Sequence, residues 1–224
     1  MASLIECLNK RMKPVIQNNM LVDPLLQTEI ARRCRNGDFP DEPASVANDL
    51  GMLDLPNGQT IRVWLCHAAD AVLLDDYGQT LLITRLHNPG QGKRALPGGL
   101  LDMIPGGVES SRHAALREVT EETGIPAEIL AQAAVTQLGR RRHVRPFDIR
   151  QAWNNLPGTP VQKNDLFTVS TLAFRVKLPG NLQNLALQAG DDATAVTIIP
   201  ARQISLTELA VPDHLEMIHA ALNV

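Results

Sequence analysis

The segment from Glu109 to Ile125 constrains this chain more than any other, because it places three carboxylates on one turn of a helix. Residues three and four apart share a helix face, so Glu118, Glu121 and Glu122 cluster, with Arg117 adjoining and Glu109 eight positions before it. Ala114, Ala115 and Val119 give the same helix small apolar contacts, and Gly124 is a fitting stop. Carboxylates this close repel one another and weaken an isolated helix. A hard divalent cation reverses that sign, since Mg²⁺ prefers oxygen ligands and keeps several waters.

A solvated acidic helix face is the commoner cause of such clusters, but this pattern is too long for it. At about 6% per residue type, the six positions Glu109, Arg117, Glu118, Glu121, Glu122 and Gly124 match by chance on the order of 10⁻⁵ per chain of this size. The segment resembles the Nudix box, G-x5-E-x7-R-E-U-x-E-E-x-G-U with U a bulky aliphatic residue. Glu109 to Ile125 completes the part from the first Glu onward, and Arg94 to Gly99 (RALPGG) is similar to the family's lead-in. One departure stands out. Nine residues (LLDMIPGGV) separate Gly99 from Glu109 where the box has five, and Pro105-Gly106-Gly107 suggests a turn that absorbs the extra four.

The resemblance implies an α/β fold, a Nudix-type α/β/α sandwich with a central mixed sheet. It implies that Glu118 and Glu122 bind metal, that Glu121 is a third ligand or a base, and that the Gly98 carbonyl completes the site. Arg117 and Glu109 would pair to hold the loop against the helix. The implied cofactor is Mg²⁺, with Mn²⁺ an alternative, and the implied reaction is attack by water on a phosphorus of a diphosphate.

Clues to the substrate lie downstream. Ala189 to Ala193 (AGDDA), followed by an apolar strand and then by Asp213-His214, resembles the end of ADP-ribose pyrophosphatases. Asp191 and Asp192 would then sit near the metals or the attacking water, although a polar turn before a strand explains the stretch equally well. Gly139 to Arg150 (GRRRHVRPFDIR) is locally basic. Arg140, Arg141, Arg142 and Arg145 suit a phosphate, while a solvated basic surface is the commoner meaning of such a run. Asp148 with Arg150 is faintly similar to an Asp-Pro-Arg stretch of the ADP-ribose enzymes, with Ile149 in place of the proline. Trp153 and Phe147 offer faces for adenine or, more simply, for packing. The expected substrate is ADP-ribose, hydrolysed to AMP and ribose 5-phosphate. Nucleoside triphosphates or dinucleotides are alternatives under the same box, as is a non-catalytic ADP-ribose sensor.

The rest of the chain sets bounds. With 224 residues, 44% of them apolar, and a formal net charge of −3, nothing favours nucleic acid or an anionic membrane as partner. Cys7, Cys34 and Cys66 form neither a metal clip nor a disulfide framework, and no apolar run or leader pattern is evident, so the expected location is cytoplasmic. The six histidines show no zinc-ligand spacing with the cysteines. Residues 1–58 read as an N-terminal extension with one helix beginning at Asp23-Pro24 and stopping at Gly37, covering an edge of the main domain or making a homodimer contact. Residues 59–224 read as the hydrolase domain. Strands are expected at 59–66, 69–74, 80–86, 167–176 and 193–199, and helices at 110–123, 126–137 and 212–222.

Overall fold

The computed structural model describes residues 15–36, 39–88, 90–143 and 148–224. The expected helix stop at Gly37, together with Cys7, Arg145 and Phe147, lies outside the described residues. The chain divides into two compact units. The larger comprises Phe39–Val46, the described part of His67–Arg142, and Ser170–Val224; the smaller comprises Ala47–Cys66 and the described parts of Met1–Asp38 and His143–Val169.

The larger unit is built on the second half of the strand Thr60–Leu74, which is buried without a break from Leu65 to Asp75. Alternate side chains of a strand point to opposite faces. Ala69, Ala71 and Leu73 accordingly join one apolar cluster with Ala114, Ala115 and Val119 of the helix Ser111–Thr123. Val72 and Leu74 join another with Met217, Ile218 and Ala221 of the helix Asp213–Leu222. Helices therefore cover both faces, and the fold is α/β as expected. Burial on both sides also explains why two expected strands, 59–66 and 69–74, are one: a strand apolar on both faces loses its alternation.

Ala193–Pro200 runs antiparallel to Gln79–Arg85, Ala134–Gln137 to Phe174–Lys177, and Gly98–Leu100 to Ala68–Asp70. The central sheet is mixed, and Arg94 and Leu209 add an isolated parallel bridge beside it. The expected helix over 126–137 is corrected. Only Ala127–Leu130 is helical, and Ala134–Gln137 (AVTQ) is a strand. Its β-branched Val135 and Thr136 favour the ladder, and an apolar run this short does not separate helix from strand by period alone.

In the smaller unit, Pro24–Asn36 is the expected helix, with the Asp23 carboxylate accepting the Leu25 and Leu26 N–H groups. Ala47–Asp54 is a strand that the sequence did not announce, paired antiparallel with Thr60–Cys66. The polar pattern ANDLGMLD hid it, and a register shift between Asp49 and Gly51 breaks its alternation.

Candidate active site

The site starts from Gly98–Leu100, whose pairing with Ala68–Asp70 brings the chain to the face carried by Ser111–Thr123. The lengthened segment between Gly99 and Glu109 forms a small hairpin, Met103–Ile104 against Gly107–Val108, turning through Gly106 at φ 99°. Its neck is closed by Asp102 and Glu109. The Asp102 N–H donates to Glu109 Oε1 at 2.8 Å and the Glu109 N–H to the Asp102 carbonyl at 3.0 Å. The insertion is thus looped out, leaving Glu109 against the helix.

Ser110 caps that helix by accepting the His113 N–H, and Gly124 ends it in the left-handed conformation at φ 73°. Arg117 organises the acidic turn. Its guanidinium donates to Glu109 at 2.7 Å, Glu118 at 2.8 Å, Glu121 at 2.7 Å and the Leu100 carbonyl at 3.0 Å. Burial alone would raise the Glu109 carboxyl, but hydrogen bonds from Arg117, His113 and the Asp102 amide outweigh it and hold the group below the usual carboxylate range.

Glu118 and Glu122 are also buried, with much less compensation. Burial pushes Glu118 up to about 7, against the pull of Arg117 and with the help of the Glu121 and Asp191 charges. Burial pushes Glu122 up to about 8, although it accepts the Gly98 N–H at 3.0 Å; the charges of Glu118 and Asp70 add to the rise. The AGDDA turn completes the group. Gln188 N–H bonds the Thr123 carbonyl at 2.9 Å, and Asp191 adopts φ 49°. That conformation places a carboxylate oxygen of Asp191 within 4.8 Å of oxygens from Glu118 and Glu121. Converging oxygens from three carboxyls, with the buried Glu118 among them resisting ionisation, fit a hard divalent cation.

The remaining expected residues lie elsewhere. Asp192 is exposed and faces His87 at 3.5 Å. Arg140 and Arg142 line a small pocket with Thr171 and Met217, and Arg142 bonds Glu216 at 3.0 Å. Arg150 belongs to the smaller unit, where it bonds Asp148 and lies over the Phe167 ring. Arg141 departs furthest from a phosphate ligand. It donates to the Ala68, Ser170 and Asp41 carbonyls and to Ser111 Oγ, which ties the strands to the start of the acidic helix. Sequence reasoning missed Asp70, a nearly buried carboxylate under Gly98. A lone charge inside the apolar run CHAADAVLL was the signal for it.

The NUDIX domain family model matches residues 65–221, which takes in every residue of this carboxylate group. The chain belongs to the NUDIX family. No curated protein matches it. Among solved structures it is similar to the NUDIX domain of Shewanella oneidensis NrtR complexed with ADP ribose, at 21% identity and TM-score 0.47, covering 70% of this chain and 86% of that one. It is also similar to a MutT/nudix family protein from Enterococcus faecalis, at 21% identity and TM-score 0.46, covering 100% and 74% respectively. A third is a NUDIX hydrolase from Nitrosomonas europaea, at 19% identity and TM-score 0.42, covering 77% and 88%. Among the described residues, no helix is long and apolar enough to cross a membrane.

Proposed function

We propose that this NUDIX chain is a Mg²⁺-dependent hydrolase of nucleoside diphosphate derivatives, with ADP-ribose, cut to AMP and ribose 5-phosphate, as its preferred substrate. The observation that carries the reading is the convergence of Glu118, Glu121 and Asp191 oxygens within 4.8 Å, with buried Glu122 on the same helix. These carboxylates, together with the Gly98 carbonyl, would hold Mg²⁺ or Mn²⁺. A bound ion would supply charge neutralisation at the phosphate oxygens and a lowered pKa for water.

The chain's own contribution is positioning. Arg117 holds Glu118 and Glu121 in fixed orientations while its other nitrogens clamp Glu109 and the Leu100 carbonyl. Glu121, the more exposed of the three helix carboxylates, would take the proton from the attacking water. The water oxygen bonds to one phosphorus, the bridging P–O bond breaks, and its electron pair leaves with the other phosphate. Support for ADP-ribose comes from the AGDDA turn, which resembles that of ADP-ribose pyrophosphatases and brings Asp191 to the acidic helix. Arg140 and Arg142, with Asp192, remain candidate contacts for the rest of the substrate, which would be a small nucleotide met in the cytoplasm.

The test is AMP release from ADP-ribose with Mg²⁺, beside Glu122→Gln and a panel of nucleoside triphosphates and dinucleotides. AMP formation that EDTA and the substitution abolish is the expected result. Turnover of triphosphates alone would keep the chemistry and discard the substrate. Tight ADP-ribose binding without turnover of any panel member would replace the enzyme by a sensor.

A further inference from the structure

His214 is the second residue of the helix Asp213–Leu222 and is 4% exposed. Its Nδ1 accepts the Leu96 N–H at 3.0 Å, so that nitrogen carries no proton and the neutral ring has its hydrogen on Nε2. Nε2 points toward Asp70 Oδ1 at 3.9 Å, and Asp70 Oδ2 accepts the Thr171 hydroxyl at 2.7 Å. A histidine and an aspartate side by side among apolar residues carry a desolvation cost that Leu or Val would avoid.

Their location gives that cost a use. Leu96 is held by His214, the Pro97 carbonyl by the Ala71 N–H at 2.9 Å, and the Gly98 N–H by Glu122 at 3.0 Å. Asp70 lies directly under Gly98, where a Cβ would overlap its carboxylate and would stand 2.6 Å from the Ala69 carbonyl. Leu96-Pro97-Gly98 is therefore a short rigid bridge, with His214 at one end and Glu122 at the other.

We propose that His214 and Asp70 are positioning residues, which fix this bridge and thereby aim the Glu122 carboxylate, and the Gly98 carbonyl beside it, at the metal. The proposal rests on the metal-helix reading above. It couples the helix on one face of the sheet to a carboxylate on the other without either histidine or aspartate touching substrate.

The experiment uses the full chain and two readouts: Mn²⁺ binding followed by electron paramagnetic resonance, and ADP-ribose hydrolysis at saturating Mg²⁺. His214→Leu removes the acceptor for Leu96, and Mn²⁺ affinity is expected to fall roughly 10–100-fold, the usual range for residues that orient metal ligands. kcat falls with it, while KM for ADP-ribose at saturating metal stays within about twofold, as expected when positioning rather than substrate binding is lost. His214→Asn, whose Oδ1 overlaps the Nδ1 position, restores most of the affinity, whereas His214→Gln, with its oxygen one carbon further out, does not. This pair decides the matter even when the Leu variant does not fold. Equal Mn²⁺ affinity for the Asn and Gln variants, or wild-type affinity in a folded Leu variant, overturns the proposal alone. Wild-type protein that binds no Mn²⁺ overturns it together with the metal reading.

Discussion

Gly99 and Glu118 compete for one volume: a Cβ on Gly99 would overlap Glu118 Oε1 and stand 2.5 Å from its Cδ. The glycine is what lets a strand backbone lie flat over a carboxylate of the neighbouring helix. Its φ lies in the ordinary range for any residue, so the requirement is steric room rather than backbone conformation. Gly99→Ala is expected to displace Glu118 and weaken Mn²⁺ or Mg²⁺ affinity roughly 10–100-fold. Thermal stability should change much less. Isothermal titration with Mn²⁺ checks this, and unchanged affinity would mean that Glu118 is no ligand.

Arg117 leads to a different expectation, in which stability and activity fall together. Glu109 has no exposed side-chain surface, and Arg117 is its principal cation. Arg117→Met strands that charge, at a cost of about 3–5 kcal/mol, typical of removing one member of a buried pair. Arg117→Lys restores charge but not the fork that reaches Glu109, Glu118, Glu121 and Leu100 at once, so it should recover only part of the loss. Urea unfolding of the two variants measures both. Wild-type stability in the Met variant would show that His113 and the Asp102 amide suffice for Glu109.

How much of this was legible in the sequence depends on whether the information is local. The acidic helix could be read because its spacing, cap and stop all lie between Ser110 and Gly124. Asp191 could be suspected only from a resemblance, since its place beside Glu118 depends on the AGDDA turn packing onto the far end of the helix. Asp70, His214 and Arg141 act through partners far away in the chain, His214 reaching back to Leu96 and Asp70, and no periodicity encodes such pairs. The role of Arg141 within the basic run was hidden for a related reason. A string of arginines shows charge, whereas the carbonyls that consume Arg141 belong to Ala68, Ser170 and Asp41.

Arg141 should therefore act on folding and leave substrate binding alone. Arg141→Met leaves three carbonyls without their donor, and a loss of at least about 2 kcal/mol is expected from unmade buried hydrogen bonds. KM for ADP-ribose should stay near the wild-type value in the fraction that folds. A raised KM at unchanged stability would return Arg141 to the phosphate-binding residues.

The strongest expectation concerns metal and pH together. Glu118 and Glu122 carry folded values of about 7 and about 8 against 4.5 for the free side chain, so the folded chain binds more protons than the unfolded one across that interval. Their contribution is fully present below 4.5 and is lost as pH rises through 7 and 8. Buried His67, held down at about 4 from 6.5, acts in the opposite sense, and its contribution is lost as pH falls below 6.5. His214, also held down by burial, adds to the same effect. Between 6.5 and 8 the carboxylates act alone, and metal-free protein should melt at a falling temperature as pH rises through that window. A divalent cation needs the ionised carboxylates, so Mg²⁺ should stabilise more at the alkaline end and flatten the slope. Glu122→Gln should remove part of the slope, raise the metal-free melting temperature at the alkaline end, and lower activity on the order of 10²-fold or more. Melting curves with Mg²⁺ or EDTA at several pH values test all of this at once. A flat profile without metal, together with no shift on adding Mg²⁺, would mean that these carboxylates are neither crowded nor ligands.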